Sequence, residues 1–179
     1  FKGLGAEVVL VSGPVELAPP NGVETINAVS TEDMFERVKE HMDADIGIFS
    51  AAVSDYTPVT YSKGKMKKTD DSDNLVVEMK KTTDILKYVG HNSENMTVVG
   101  FAAETDDVKN YALKKLKEKN ADCIIMNDVS NPEIGMNSDD NEVAMLYKDG
   151  TETYLEKASK VQLANQIVQN LVDHHGWRS

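Results

Sequence analysis

Four lysines crowd one short stretch, "YSKGKMKK" (61–68): Lys63, Lys65, Lys67 and Lys68. The stretch follows Pro58, contains Gly64 and has little apolar content, so it is expected to form a flap. Ammonium groups on flexible stems are point charges able to follow phosphates through a substitution at phosphorus. The same lysines could equally form a solvated turn balanced by "TDDSD" (69–73). Just upstream, Asp55 lies in "AAVSDY" (51–56), where a carboxylate could hold a ribose hydroxyl or a Mg²⁺, or could serve only as a turn or cap aspartate. Ala51 and Ala52 beside it, and Gly100, Ala102 and Ala103 in "GFAAET" (100–105), are small enough for a ligand to approach the backbone. Backbone groups there can read a base or a carboxamide, although small residues also let helices pack closely on a sheet. Farther on, "DDVKNYALKKLKEKNA" (106–121) carries Lys109, Lys114, Lys115, Lys117 and Lys119, with Lys115 and Lys119 four apart and therefore on one helix face. They form a solvated face or, if turned toward a ligand, phosphate or base contacts.

These groups need elements to position them. "AEVVLVS" (6–12) reads as a strand buried on both faces, followed by a loop with Pro19, Pro20 and Gly22. "STEDMFERVKEHMDA" (30–44) opens with a capping Ser30 or Thr31 and spaces Met34, Phe35, Val38 and Met42 as an amphipathic helix. The spacing predicts strands at 45–53, 74–82 (more exposed), 96–105 and 122–128, and helices at 82–91, 106–121 and 160–175. A hairpin at 142–156 should turn at Asp149 and Gly150. Strands alternating with helices imply a mostly parallel sheet covered on both sides, made mixed by the terminal hairpin. Ligands of such sheets bind outside the carboxyl ends of the strands, so the segments after Val53, Glu104 and Asn127 should share one crevice.

Bulk properties narrow the ligand. The 179 residues suit a single domain spanning 1–179, and a net charge of −11 disfavours nucleic acid and anionic membranes, so a polyanionic ligand needs a local positive cluster. Cys123, the one cysteine, sits in the apolar run "DCIIMN" and reads as a buried strand residue, with a reducing cytoplasm as the natural compartment. No apolar stretch approaches a membrane span, and the opening "FKGLGAEVVLVSGP" is not a signal peptide. That opening enters a helix tail directly, so a first strand and helix are expected upstream. His41, His91, His174 and His175 lack metal-ligand spacing, and the last two are expected to cap a helix end. Asp128, Asp139 and Asp140 are possible supporting acids. There is no Ser-His-Asp order, Walker loop or carboxylate pair for hydrolysis. The residues alone point to a nucleotide or phosphate-bearing ligand at a parallel-sheet edge.

Five motifs, "VVLVSGP" (8–14), "AAVSDY" (51–56), "KGKMKK" (63–68), "VVGFAAET" (98–105) and "NDVS" with "GMNSDDN" (127–130 and 135–141), occur together in this order. In that combination the chain resembles the phosphopantothenoylcysteine synthetase family of coenzyme A biosynthesis, in its bacterial CTP-using form. The resemblance implies a Rossmann-like three-layer α/β fold with a mostly parallel sheet, a terminal antiparallel hairpin and a flap. The family's N-terminal strand and Gly-rich loop would precede Phe1. It implies a ligase that activates 4′-phosphopantothenate with CTP as an acyl-cytidylate, releasing pyrophosphate, after which L-cysteine displaces CMP to form the amide. By motif, Lys65 would be catalytic, neutralising charge on the triphosphate. Ala51, Asp55, Lys65, Phe101, Lys115 and Lys119 would contact CTP, with Asp55 on the ribose, and Ala52 would line the pantothenate side. Mg²⁺ would travel with CTP, held by phosphates and water and not by a protein metal site. FMN would belong only to a decarboxylase fused upstream, and the protein would be a cytoplasmic homodimer. Two other functions remain open: a Rossmann-type dinucleotide enzyme, which needs a G-x-G-x-x-G turn not found in the chain, and a non-catalytic nucleotide-binding or dimerisation domain.

Overall fold

The computed structural model describes residues 1–61, 64, 75–104, 108–128 and 139–177. Its central sheet has five strands: β3 (Ile46–Phe49), β6 (Thr97–Glu104), β7 (Cys123–Asp128), β8 (Asp140–Tyr147) and β9 (Glu152–Ser159), in the order β3-β6-β7-β8-β9. The first three run parallel, and β8 and β9 add an antiparallel hairpin at one edge. Asp149 and Gly150 form its turn as expected, with Gly150 at φ +90°, a backbone region that glycine enters without strain.

Alternation along the strands builds two cores, one on each face. Val98, Ala102, Ile124, Met126 and Leu146 face α2 (Ile85–Asn92) and α3 (Val108–Lys119), and Met34, Phe35 and Val38 of α1 (Thr31–Lys39), with Met42 in the turn after it, pack on the same cluster. Val99, Cys123, Ile125, Val143, Met145 and Tyr147 face Leu163, Ile167 and Leu171 of α4 (Lys160–His175). Side chains as fully covered as Ile124 and Ile125 each contribute ~1.5–3 kcal/mol through burial. The mostly parallel sheet between two helical layers is the fold expected from the sequence.

Helix starts follow the side-chain chemistry. Ser30 Oγ accepts from the Asp33 N–H at the head of α1. Asp84 caps α2 by accepting from the Lys87 N–H, and Ser159 with Gln162 forms a reciprocal capping box on α4. The close of α4 differs from expectation. Gly176, at φ 68°, provides the left-handed C-cap, while His174 stacks on Tyr147 at 3.8 Å and faces Asp149 at 3.6 Å.

Three further expectations are corrected. The loop after the first strand contains β2 (Glu24–Asn27), which pairs in parallel with β1 (Val9–Ser12). Among the described residues these two form a sheet of their own, and β1 is half-buried along its length, not covered on both faces. The strand expected at 45–53 pairs only over Ile46–Phe49, and its Ile48 is 40% exposed. The exposed strand expected at 74–82 pairs over β5 (Met79–Lys81), antiparallel to an unanticipated β4 (Tyr56–Pro58). Tyr56 and Met79 of that ribbon, and Tyr61, Leu75, Val76 and Val77 in the chain that flanks it, are open to solvent.

Candidate functional site

The segment after β3 and the segment before α2 are fastened together. Thr82 Oγ1 donates to the Ser54 carbonyl at 2.6 Å, and the Thr82 N–H donates to the Asp55 carbonyl at 2.9 Å. This double bond holds the root of the β4–β5 ribbon and fixes residues 51–55 beside the carboxyl end of β3. Ala51, Ala52 and Asp55 are all exposed there, as a ligand-facing stretch requires. Gly100 and Ala102, by contrast, are packing residues: both are buried, and a Cβ at Gly100 would lie 2.9 Å from Ile124 Cδ1.

Helix α3 follows β6 and runs away from this strand end. Its side chains slant back toward its N-terminus, so lysines late in the helix reach back toward the crevice. Lys115 Nζ donates to the Phe101 carbonyl at 3.2 Å, joining two of the expected nucleotide contacts. Phe101 itself is half-buried, with its ring on the α4 face of the sheet. Lys119 Nζ forms a close, hydrogen-bonded ion pair with Asp84 Oδ2. Burial alone would raise the Asp84 carboxyl, but the hydrogen bonds from Lys119 and from the Lys87 N–H outweigh it and hold the carboxyl below its ordinary value.

Two of the remaining helix lysines are paired at the surface. Lys109 pairs with Glu152 at 2.8 Å on β9, and Lys114 faces Glu118 at 3.8 Å, so these two belong to a solvated face. Asp84 and Lys119 each line a cleft. One, of about 370 Å³, is lined by Asp84, Lys87, Tyr88, His91 and Asn92; the other, of about 80 Å³, by Tyr111, Lys114, Lys115, Glu118 and Lys119.

Structure thus brings Ala51, Ala52 and Asp55 to one side of the corner and Lys115 and Lys119 to the other, with Phe101 tied in through its carbonyl. Lys65, with Lys63, Lys67 and Lys68, lies outside the described residues, as do 129–138 and the side chain of Asp128. Sequence reasoning missed Thr82 and Asp84, the residues that connect the two halves. Asn127, at the end of β7, also went unassigned; its Oδ1 is buried with no hydrogen-bond partner among the described residues. An acceptor of this kind at a strand end is suited to a polar ligand group.

Cys123 has no place in this chemistry. It is buried in the α4-side core, and desolvation pushes its thiol up to about 12. Among the described residues no group of three or more His, Cys, Asp or Glu side chains is arranged to hold a metal ion, and no helix is long and apolar enough to cross a membrane.

Known proteins give this corner a context. Residues 1–174 match the profile of the DNA/pantothenate metabolism flavoprotein C-terminal domain. The coenzyme A biosynthesis bifunctional protein CoaBC of Bacillus subtilis is 45% identical over 170 residues, covering 94% of this chain and 41% of that protein. The CoaBC of Vibrio vulnificus strain YJ016 is 44% identical over 176 residues, covering 96% of this chain and 44% of that protein. The chain therefore spans less than half the length of these curated relatives. The solved C-terminal domain of a CoaBC superposes with a TM-score of 0.78 at 38% identity, over 95% of this chain and 75% of the other. A flavoprotein structure from Streptococcus pneumoniae, at 23% identity and a TM-score of 0.77, shares the fold. The chain belongs to the family of the DNA/pantothenate metabolism flavoprotein C-terminal domain, which is the phosphopantothenoylcysteine synthetase family that its motifs resemble.

Proposed function

We propose that this domain joins 4′-phosphopantothenate to L-cysteine in coenzyme A biosynthesis, using CTP. The carboxylate oxygen of 4′-phosphopantothenate attacks the α-phosphorus of CTP, and the bond to pyrophosphate breaks. The cysteine amine then attacks the acyl carbon, loses a proton, and expels CMP. Carboxylates are poor electrophiles, and the mixed anhydride supplies the leaving group. The protein's task is therefore positioning and charge neutralisation.

The observation that carries this reading is the corner fixed by Thr82 and Asp84, where the exposed Ala51–Asp55 stretch and the two crevice-reaching lysines of α3 meet. In it, Ala51 and Asp55 face the nucleoside, Ala52 faces the pantothenate side, and Lys65 neutralises the triphosphate from the flap. Mg²⁺ accompanies CTP through its phosphates and water. The exposed apolar residues in and beside the β4–β5 ribbon favour a homodimer, since an isolated two-stranded ribbon is marginal in water. A cytoplasmic enzyme accords with the single buried thiol.

The test is pyrophosphate release from CTP and 4′-phosphopantothenate. Release should need both compounds and fall by roughly a hundredfold or more in Lys65→Ala, the scale seen when one charge-stabilising group is removed from a transition state. CTP binding without release would favour the non-catalytic alternative, and release indifferent to Lys65 would remove its assigned role.

A further inference from the structure

The far end of the sheet carries a stack of rings that the proposed chemistry does not use. Tyr147, at the end of β8, lies face to face with His174, the ring centroids 3.8 Å apart. The His174 ring meets His175 edge to face at 5.2 Å, and His175 lies nearly parallel to Trp177 at 4.7 Å. The inner ring is anchored, since Tyr147 is 1% exposed. The outer ring stands beyond a hinge: Trp177 follows Gly176, where α4 ends and where a Cβ would find nothing within 4 Å.

His175 is the ring that acid disturbs. Its Nε2 is buried with no hydrogen-bond partner among the described residues. A neutral imidazole bears this at modest cost, whereas an imidazolium donates from both nitrogens and its charge must be paired or hydrated. The charged and titratable groups facing it are His174 on α4, Asp122 ahead of β7 and Asp149 in the hairpin turn. Both carboxylates are already engaged. Asp122 Oδ2 accepts from the Val98 N–H at 2.8 Å and its Oδ1 faces Lys148 at 3.9 Å. Asp149 Oδ1 accepts from the Thr151 N–H at 2.8 Å and its Oδ2 faces His174 at 3.6 Å. A protonated His174, held there by Asp149, sets a like charge beside His175.

We propose that His174, His175 and Trp177 form an acid-released clasp: protonation of His175 expels its ring from the stack, and rotation at Gly176 carries Trp177 away while the sheet and its helices stay folded. The sign follows from proton linkage. Burial, with the neighbouring His174 charge, holds the clasped imidazole below its ordinary value. A released imidazole titrates near its ordinary value of about 6.5, so the open form takes up the proton more readily and gains population as pH falls below it. Tyr147 pairs with Cys123 at the amino end of β7, so the clasp lies at the opposite end of the sheet from the Ala51–Asp55 stretch and does not depend on the ligase reading.

Trp177 is the sole tryptophan, so its fluorescence reads the clasp directly. In the full chain, acrylamide quenching should rise at least about twofold and the emission should shift to the red between about pH 7 and 5, with far-UV circular dichroism unchanged. His175→Phe keeps a ring to stack on and cannot titrate, so Trp177 should stay shielded across that range. His175→Gln removes the ring and should leave Trp177 as accessible at neutral pH as it is in wild type under acid; it decides if the phenylalanine variant does not fold. Quenching that is flat with pH in wild type would overturn the clasp. So would a step that persists in His175→Phe, or one that coincides with loss of the circular dichroism signal.

Discussion

Gly90→Ala tests the packing that places Lys119. Gly90 is fully covered in α2, where the C-terminal turn of α3 crosses it. A methyl built there would lie 3.0 Å from the Asn120 carbonyl oxygen and inside van der Waals contact with that of Lys119. Asn120 is itself held in the left-handed region at φ 50°, and its side-chain amide donates to the Gly90 carbonyl. The obstacle is backbone on both sides, so no rotamer change relieves it. On an open helix surface the same substitution stabilises by about 1 kcal/mol through helix propensity. Overpacking against backbone costs ~1–3 kcal/mol or more and reverses the sign. At about 2–4 °C per kcal/mol for a domain of this size, the melting temperature should fall by several degrees in differential scanning calorimetry. Displacing the Lys119 backbone also pulls its ammonium from Asp84, so CTP affinity should fall with the melting temperature. An unchanged or raised melting temperature would refute the close approach of the two helices.

Two other outcomes are expected. Burial of His175, together with the neighbouring His174 charge, holds its imidazole below the ordinary value against the opposing pull of Asp122 and Asp149. A base whose folded-state value is depressed takes up fewer protons folded than unfolded, so its contribution is present above the unfolded value near 6.5 and is lost as pH falls below it. The melting temperature should drop between about pH 7 and 5, and His175→Gln should flatten that part of the profile, leaving the carboxylate-linked loss at lower pH. The segment leading into the ribbon supplies the second: Val76 is 89% exposed and Leu75 70%, so light scattering should report a dimer that Val76→Asp shifts toward monomer, and a wild-type monomer would remove this segment as an interface.

Strands β6 and β7 were legible because each holds an apolar run whose central residues find cover, Val98 to Gly100 in one and Cys123 to Met126 in the other. β2 was not: "ETIN" carries two exposed positions and one aliphatic side chain, and among the described residues its one partner is another short strand. β4 was hidden for a related reason, since it is three residues long and includes Pro58. At the site, helical spacing was enough to put Lys115 and Lys119 on one face. The residues completing the corner act across the fold: Thr82 bonds a carbonyl 28 positions away, and Asp84 meets Lys119 35 positions away. Locally, Asp84 is an ordinary cap residue, and nothing in "KTTDIL" shows that its second oxygen faces another helix.

The burial of Cys123 bears on life beside a reactive metabolite. A ligase for cysteine works in a pool of free aminothiol and of the disulfides that pool forms on oxidation, and a surface thiol would exchange with them. Burial pushes the thiol up to about 12, so it stays protonated at neutral pH, and the core blocks any attacking disulfide. On the proposed function, the domain can pass through swings in the redox state of the cysteine pool without being capped by it.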